Sequence, residues 1–327
     1  MPTIHASLRT GLLTASIALL SACSEPQSAG TGEAPNPAIE PPTPAISALP
    51  SVPDGDVPGV GVPGLLDCAR TDGVTFLSAH RGGPGPGLPE NSLAAMDASI
   101  EAGALFLEID VAATADGALV LLHDRTLDRT TTGSGPISEA TLDEVRGLDL
   151  RDADGAVLDA PPPTLAEAFD LARGRAVLQL DVKGVPADAL VAAIRDADAI
   201  DEVLVITYTT EAAIELAEIE PTLMLSVGLD SLDALEAFGA AGVRPERIVA
   251  WLGLGAGNPV LDAALASRGV ETSYADFRAE RSMDWDYAAH AAAGAEVLSV
   301  DDVPRAAAAL DARARLEALR ASCAAAD

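Results

Sequence analysis

The sequence predicts an α/β protein that folds as one parallel (β/α)8 barrel of the TIM type, with a small insertion after the second strand. From residue 74 onward, short β-rich runs alternate with Ala-rich helical stretches. Eight strands with intervening helices occupy about 250 residues, which is the usual length of such a barrel. A doubly wound open sheet is the alternative, but no Gly-rich phosphate loop follows the first strand at the required spacing.

The elements of the predicted barrel follow one another in a regular order. Eight barrel strands and one further extended piece, Leu119–His123, are predicted. The barrel strands are Val74–His80, Leu105–Val111, Val177–Lys183, Val203–Tyr208, Leu223–Val227, Ile248–Leu252, Val270–Tyr274 and Val297–Val300. Helical patterns lie between them at Asn91–Ala102, Pro186–Ala197, Glu211–Glu218, Ser231–Ala240 and Asn258–Ala266.

The composition allows a large core and excludes one class of partner. Apolar residues make up 49% of the 327 residues, although aromatic residues make up only 3%. The formal charge of −30 repels nucleic acid, so we expect no nucleic-acid partner. An anionic substrate would need a local cation to offset this field. Of the 20 basic residues, 19 are Arg and one, Lys183, is Lys, which makes Lys183 a candidate for a specific role.

Residues 1–23 have the pattern of a bacterial secretory signal. Arg9 precedes an apolar run from Gly11 to Leu20, which is too short to cross a bilayer. The run ends in Leu20-Ser21-Ala22-Cys23, which resembles a lipobox, in which the Cys becomes the lipidated first residue. An ordinary signal peptide with an incidental Cys is the alternative. We therefore expect a membrane anchor at Cys23 and a cell-envelope location, with Ser24 favouring the outer membrane.

The remaining chain divides into a tether and one large domain. Residues 24–64 are rich in Pro, Gly, Ala and Ser and show no apolar periodicity, so they are interpreted as a flexible tether. Residues 65–327 form the predicted barrel domain.

Cys68 and Cys323 are the two cysteines that follow Cys23. In an oxidising periplasm such a pair is a disulfide candidate, although two buried free thiols are the alternative. The disulfide would close a loop of 323 − 68 = 255 residues.

Carboxylates cluster at the carboxyl ends of the predicted strands, where barrel enzymes assemble their active sites. Glu108 and Asp110 are two residues apart on one strand, so they share a face and lie roughly 6.6 Å apart along it. Asp181 ends the next barrel strand and is a third candidate ligand. Oxygen ligands of this kind suit a divalent cation such as Mg²⁺ or Ca²⁺. The alternative is that Glu108 and Asp110 face solvent.

Basic side chains also lie at the ends of predicted strands. His80 and His123 are candidate acid and base, since imidazole titrates near neutral pH, although either one alone would more often be a structural histidine. Arg81 and Lys183 can hold phosphate oxygens. His290 lies in an Ala-rich helical stretch and is interpreted as structural or surface.

The ordered set of motifs from about residue 74 to 310 resembles the glycerophosphodiester phosphodiesterase family. The pieces are His80-Arg81-Gly82, Pro89-Glu90-Asn91-Ser92, Glu108-Ile109-Asp110, Asp116-Gly117, His123-Asp124, the run from Leu127 to Gly133, Pro163-Thr164-Leu165, and the run from Ser299 to Pro304. This resemblance implies metal-dependent hydrolysis of a glycerophosphodiester to an alcohol and glycerol 3-phosphate. It also implies roles for residues already named: metal ligation by Glu108 and Asp110, acid/base catalysis by His80 and His123, and phosphate contact by Arg81 and Lys183.

The sequence departs from the family pattern at two places. Asp181 stands where the family normally has Glu, and Glu271-Thr272-Ser273-Tyr274 replaces a Trp-Thr-x-Asn segment that helps to bind the alcohol. Two other functions are alternatives: phospholipase D-like action on lysophospholipids or sphingolipids, and a non-catalytic, envelope-anchored binding lipoprotein.

Overall fold

Eight parallel strands close into a barrel in the computed structural model, which describes residues 61–324. The barrel strands are β1 (Phe76–Ala79), β2 (Phe106–Ala113), β6 (Val177–Val182), β7 (Val203–Thr207), β8 (Met224–Gly228), β9 (Ile248–Leu254), β10 (Glu271–Ala275) and β11 (Val297–Val300); β3 (Leu119–Leu121), β4 (Leu150–Arg151) and β5 (Val157–Leu158) lie outside the barrel. Closure is complete because β1 pairs in parallel with both β2 and β11. The predicted fold class and strand order are confirmed.

Helices connect the strands and surround the barrel. They are α1 (Gly61–Asp72), α2 (Leu93–Ala102), α3 (Leu142–Arg146), α4 (Leu165–Ala172), α5 (Ala187–Asp196), α6 (Thr210–Ile219), α7 (Leu232–Ala240), α8 (Pro259–Ala266), α9 (Phe277–Arg281), α10 (Tyr287–Ala292), α11 (Val303–Leu310) and α12 (Ala312–Ala324). Many begin with a side-chain cap. On α4, for example, Thr164 accepts from the backbone N–H of Glu167, whose carboxylate accepts from the Thr164 N–H in return. No helix among the described residues has the length and hydrophobicity required to cross a membrane.

The alternation of side chains along β2 determines what faces the barrel axis. Leu107, Ile109 and Val111 belong to the core between the strands and the helices. Glu108 and Asp110 therefore face the opposite way, toward the barrel interior. Both are buried, so the solvent-exposed alternative for this pair is wrong.

The predicted insertion lies between β2 and α4, at residues 114–164. It contains β3, which pairs antiparallel to β2, the hairpin of β4 and β5, and α3. A small hydrophobic cluster of its own stabilises it, formed by Ala112, Val120, Leu122, Leu127, Ile137 and Val145. His123 and Asp124 lie in the insertion and are separated from β3 by one residue, Leu122.

Helix α1 closes the barrel at the amino ends of the strands. Its buried residues Val62, Leu65 and Leu66 pack against residues at the starts of the strands and against α12. Arg70 on α1 pairs with the buried Glu271 at the start of β10. Helix α1 begins at Gly61, so the last four residues assigned to the tether are helical. Packing onto the barrel stabilises this helix, because its Pro- and Gly-rich start has a low intrinsic helix propensity.

The pairing of Cys68 and Cys323 joins the first and last helices at this closed end. They form a disulfide with their Cα atoms 6.2 Å apart, so the structure supports the pairing over two free thiols. With the amino end covered, a site in this barrel must open at the carboxyl ends of the strands. The predicted signal segment, Cys23 and nearly all of the predicted tether lie outside the described residues.

Candidate active site

Three carboxylates meet at the carboxyl end of the barrel because of strand register. Asp110 on β2 lies directly opposite Asp181 on β6, and Glu108 is two residues earlier on the same face of β2. Ligand oxygens of Glu108, Asp110 and Asp181 lie within 4.8 Å of one another, and all three residues are buried. Burial and the neighbouring Asp110 charge raise the pKa of Glu108 to about 8. The structure therefore brings together the three residues predicted as metal ligands.

Hydrogen bonds from Asn91 and Arg81 hold the carboxylates of Asp110 and Glu108 in place. The Asn91 side-chain amide donates to Oδ2 of Asp110 at 2.7 Å, and the Asp110 N–H donates to Oδ1 of Asn91 at 2.9 Å. Asn91 has φ of 57°, a left-handed conformation that Asn adopts more readily than most residues. The N–H of Arg81 donates to Oε2 of Glu108 at 2.6 Å. Asn91 belongs to one of the motifs found in the sequence, but its role in holding Asp110 became visible only in the structure.

A tight turn after β1 presents His80 and Arg81 to the carboxylates. Arg81 has φ of 53°, and Gly83 follows with φ of 80°. A Cβ atom at Gly83 would lie 2.1 Å from Oγ of Ser99, so this turn requires glycine at that position. The turn thus fixes the positions of His80 and Arg81.

His80 is oriented by a carboxylate from the far end of the chain. Its Nδ1 lies 2.8 Å from Oδ1 of Asp301, which follows β11, and its ring stacks on Phe277 with centroids 4.6 Å apart. Because a carboxylate accepts, Nδ1 carries the proton and Nε2, 4.0 Å from Oε2 of Glu108, is the position that can exchange one. Burial alone would lower the pKa of His80, but the Asp301 hydrogen bond and the Glu108 charge raise it overall. Asp301 had no predicted role, although it lies in one of the motifs.

Asp181 is held on one oxygen and unpartnered on the other. Its Oδ2 accepts from the Lys183 ammonium and from the Tyr208 hydroxyl, each at 2.6 Å. Lys183 also lies 3.2 Å from Oδ1 of Asp110. Oδ1 of Asp181 is buried and has no hydrogen-bond partner among the described residues. A buried oxygen without a donor, among three carboxylates, fits a cation ligand.

His123 is placed near the three carboxylates by the backbone of Leu122, and its side chain is followed by Asp124 and Arg129 in a chain of alternating charge. The N–H of Leu122 donates to the Asp110 carbonyl at 2.9 Å, which places His123 beside β2. Nδ1 of His123 lies 2.8 Å from Oδ1 of Asp124. Asp124 in turn accepts from Arg129, whose hydrogen bond is the main cause that holds the pKa of Asp124 far below its usual range. Each predicted histidine therefore has its own orienting aspartate.

Glu90 links the end of this chain to the turn after β1. It accepts from both Arg129 and Arg81. Neither Arg129 nor Glu90 had a predicted role, because the contact that joins them spans 39 positions in the sequence.

A cavity of about 370 Å³ opens above the carboxylates. Three side chains of the predicted set, those of His80, Glu108 and Asp181, line it. The other lining residues are Gln179, Ile206, Thr207, Ser226, Gly228 and Ser299 at the strand ends, and the aromatic residues Tyr208, Trp251 and Phe277.

The segment from Glu271 to Tyr274, which was predicted to stand in place of an alcohol-binding segment, does not line this cavity. Glu271 faces Arg70 at the closed end, and Tyr274 lies 3.0 Å from Nδ1 of His290. That hydrogen bond agrees with the structural interpretation of His290.

Comparisons with known proteins show what this chain is similar to. Residues 80–215 match the model of the Glycerophosphoryl diester phosphodiesterase family. A glycerophosphodiester phosphodiesterase of Caldanaerobacter subterraneus subsp. tengcongensis is 43% identical over 98 residues, which are 30% of this chain and 40% of that relative. Human glycerophosphodiester phosphodiesterase 1 is 39% identical over 110 residues, 32% of this chain and 33% of that relative. These matches span less than half the length of the curated relatives.

The fold comparison covers more of the chain. A glycerophosphoryl diester phosphodiesterase from Parabacteroides distasonis superposes with a TM-score of 0.70 at 28% identity, covering 76% of this chain and 90% of that structure. The match extends past residue 215 into the part of the barrel where the motifs are sparse.

Proposed function

Since this chain contains a domain of the glycerophosphoryl diester phosphodiesterase family, we propose that it hydrolyses glycerophosphodiesters to an alcohol and glycerol 3-phosphate. The observation that carries the proposal is the pair of His–Asp contacts placed around the three-carboxylate cluster. His80 is oriented by Asp301 and His123 by Asp124. A binding protein or scaffold would need neither pair.

The two histidines perform the proton transfers in this proposal. With Nδ1 fixed by its aspartate, each imidazole presents Nε2 to the substrate. One imidazole accepts a proton from the neighbouring glycerol hydroxyl as its oxygen bonds to phosphorus, and the other donates a proton to the alcohol oxygen as its bond to phosphorus breaks. Water then opens the resulting cyclic phosphate, with the two proton transfers reversed, and yields glycerol 3-phosphate.

The phosphate is held by Arg81 and Lys183. The buried Nε of Arg81 has no hydrogen-bond partner among the described residues, so it has a donor to offer to a phosphate oxygen. These cations also supply the local positive charge that an anionic substrate needs in a chain of net charge −30.

Glu108, Asp110 and Asp181 would hold a divalent cation, Mg²⁺ or Ca²⁺. When bound, such an ion neutralises negative charge on the phosphate and lowers the pKa of a coordinated hydroxyl.

A lipid anchor at Cys23 on the cell envelope, with delivery to the outer membrane, is the proposed setting. The motif from Leu20 to Cys23 supports it. Mass spectrometry of the mature amino terminus should find an acylated Cys23; an unmodified terminus at another residue would exclude the anchor.

The activity is tested by incubating the protein with glycerophosphocholine and measuring released choline and glycerol 3-phosphate. We expect turnover that EDTA abolishes and Mg²⁺ or Ca²⁺ restores, and loss of turnover in His80→Gln and His123→Gln. His290→Gln is the matched control and should remain active. Hydrolysis of lysophospholipids alone would favour the phospholipase D-like alternative, and no turnover across a panel of diesters would refute the proposal.

A further inference from the structure

We propose that Arg129 is a positioning residue for His123 and acts through Asp124. This inference rests on the proposed function, in which His123 is one of the two proton-transfer groups. Arg129 lies in the insertion, and its Nε, Nη1 and Nη2 all donate to the carboxylates of Asp124 and Glu90. Its effect must pass through the side chains that it binds.

The Arg129 guanidinium binds two carboxylates from different loops. Its Nε donates to Oδ2 of Asp124 at 2.7 Å and its Nη2 to Oδ1 at 2.9 Å. Its Nη1 and Nη2 also donate to the two oxygens of Glu90, each at 2.7 Å. Both contacts are bidentate, a geometry that suits the planar fork of arginine and that the single ammonium of lysine cannot reproduce.

Glu90 gives this guanidinium a fixed point of attachment. Its side chain is 14% exposed and it also accepts from Arg81, whose backbone N–H binds Glu108. Glu90 immediately precedes Asn91, which holds Asp110 by two hydrogen bonds. The position of Glu90 is therefore tied to the carboxylate cluster at the centre of the site.

Asp124 depends on Arg129 for its own orientation. The Asp124 carboxylate lies in the insertion loop, next to His123 in sequence, and is partly exposed to water. Without Arg129 it could rotate about its side-chain bonds, and Nδ1 of His123 would lose a fixed acceptor. The imidazole would then populate both neutral tautomers and present Nε2 to the substrate for only part of the time. The structure thus predicts a loss in turnover without a loss of substrate contacts.

A double-mutant cycle tests this route. Arg129→Gln should lower kcat by about 10- to 100-fold with little change in KM, as is typical when a group that orients a functional ligand is removed. Arg129→Lys should behave in the same way. Asp124→Asn should also lower kcat, and the Asp124→Asn/Arg129→Gln double variant should be no slower than Asp124→Asn alone. A double variant whose loss equals the product of the single losses would overturn the proposal.

Arg146→Gln is the matched control, because Arg146 also lies in the insertion and pairs with one partly exposed carboxylate, that of Glu167. Its kcat should equal that of the wild type.

A second readout needs no turnover. In protein labelled with ¹⁵N-histidine, the ring signals of His123, assigned by comparison with His123→Gln, should show the Nδ1–H tautomer in the wild type and a mixture in Arg129→Gln. An unchanged tautomer in Arg129→Gln would contradict the positioning role. If the wild type hydrolyses no diester, the proposed function fails, while these ring signals still decide whether Arg129 orients His123.

Discussion

The Asp181 carboxylate is held by hydrogen bonds on one oxygen, while its other oxygen remains free to bind a cation. Lys183 and Tyr208 occupy one oxygen, and the other is buried without a donor among the described residues. Burial would lower the pKa of Lys183, but the Asp181 and Asp110 carboxylates raise it overall, so the ammonium stays charged beside them. The shorter Asp arm is thus held in position by its neighbours, where the family pattern uses Glu.

Replacing Asp181 should change metal dependence more than substrate binding. We expect Asp181→Ala to raise the metal concentration needed for half-maximal activity, with excess metal restoring part of the rate, because one of three anionic ligands is lost. Asp181→Glu should stay close to the wild type. The control is Asp170→Ala, which removes an exposed carboxylate from α4. Metal titrations of activity measure the effect, and an unchanged half-activating concentration in Asp181→Ala would argue against this ligand.

The candidate metal ligands and the two histidines could be found in the sequence, whereas the residues that orient them could not. Glu108 and Asp110 were identifiable because a spacing of two on a buried strand puts both on one face. Asp301 contacts His80 across 221 positions, and Arg129 contacts Glu90 across 39. Such distances depend on barrel closure and loop packing, which local patterns do not encode.

Two further buried acids, Asp262 and Glu296, lie beside β10, away from the active site. Thr272 on β10 contacts Asp262 on α8, and it donates to Oε2 of Glu296, just before β11, at 2.9 Å. Burial and the nearby Asp262 charge raise the pKa of Glu296 to about 7. Burial likewise raises the pKa of Glu271 on β10 to about 7, against the opposing charge of Arg70.

Stability should therefore fall as the pH rises through neutrality. The folded state binds protons more tightly than the unfolded state at these sites, so their contribution is complete below the usual Glu range and is lost as the pH passes about 7. Glu296→Gln should remove part of the slope, on the order of 1–3 kcal/mol between pH 5 and 8, while the part due to Glu271 remains. Urea unfolding at several pH values measures this. Glu218→Gln, an exposed control on α6, should keep the wild-type slope, and equal slopes in all three proteins would contradict the assignment.

The barrel strands were predictable, and several smaller elements were not. Strands buried on both faces read as continuous apolar runs, so their positions agree with the structure. Helix α1 was missed because Gly61, Pro63 and Gly64 hide its periodicity, and it is stabilised by packing onto the barrel. The two-residue strands β4 and β5 are too short to show any alternation.

The molecule separates structural and chemical tasks between the two ends of its barrel. The amino end is closed by α1, the Arg70–Glu271 pair and the disulfide, and the carboxyl end carries the cavity. Stability at one end can therefore change without direct effects on the residues at the other.

Reduction of the Cys68–Cys323 bond tests this separation. Because the bond closes a loop of 255 residues, its loss should cost up to about 5 kcal/mol of unfolding free energy and lower the Tm. Turnover at 25 °C should change little, since the bond lies at the end opposite the cavity. Thermal unfolding with and without dithiothreitol measures the effect, and Cys68→Ser/Cys323→Ser should show no response to the reductant. A Tm of the wild type that reductant leaves unchanged would show that the bond adds no stability.

The closed end also provides a handle for immobilising the protein. Asp67 on α1 and Glu317 on α12 have side chains that are 66% and 67% exposed, and both helices contribute to the hydrophobic cluster beneath the barrel. A resin or electrode coupled at either position would therefore attach to the amino end of the barrel and leave the cavity at the carboxyl end open to the solution. We expect resin-bound protein to turn over substrate at the rate of the free protein, which would make it suited to a packed-bed reactor.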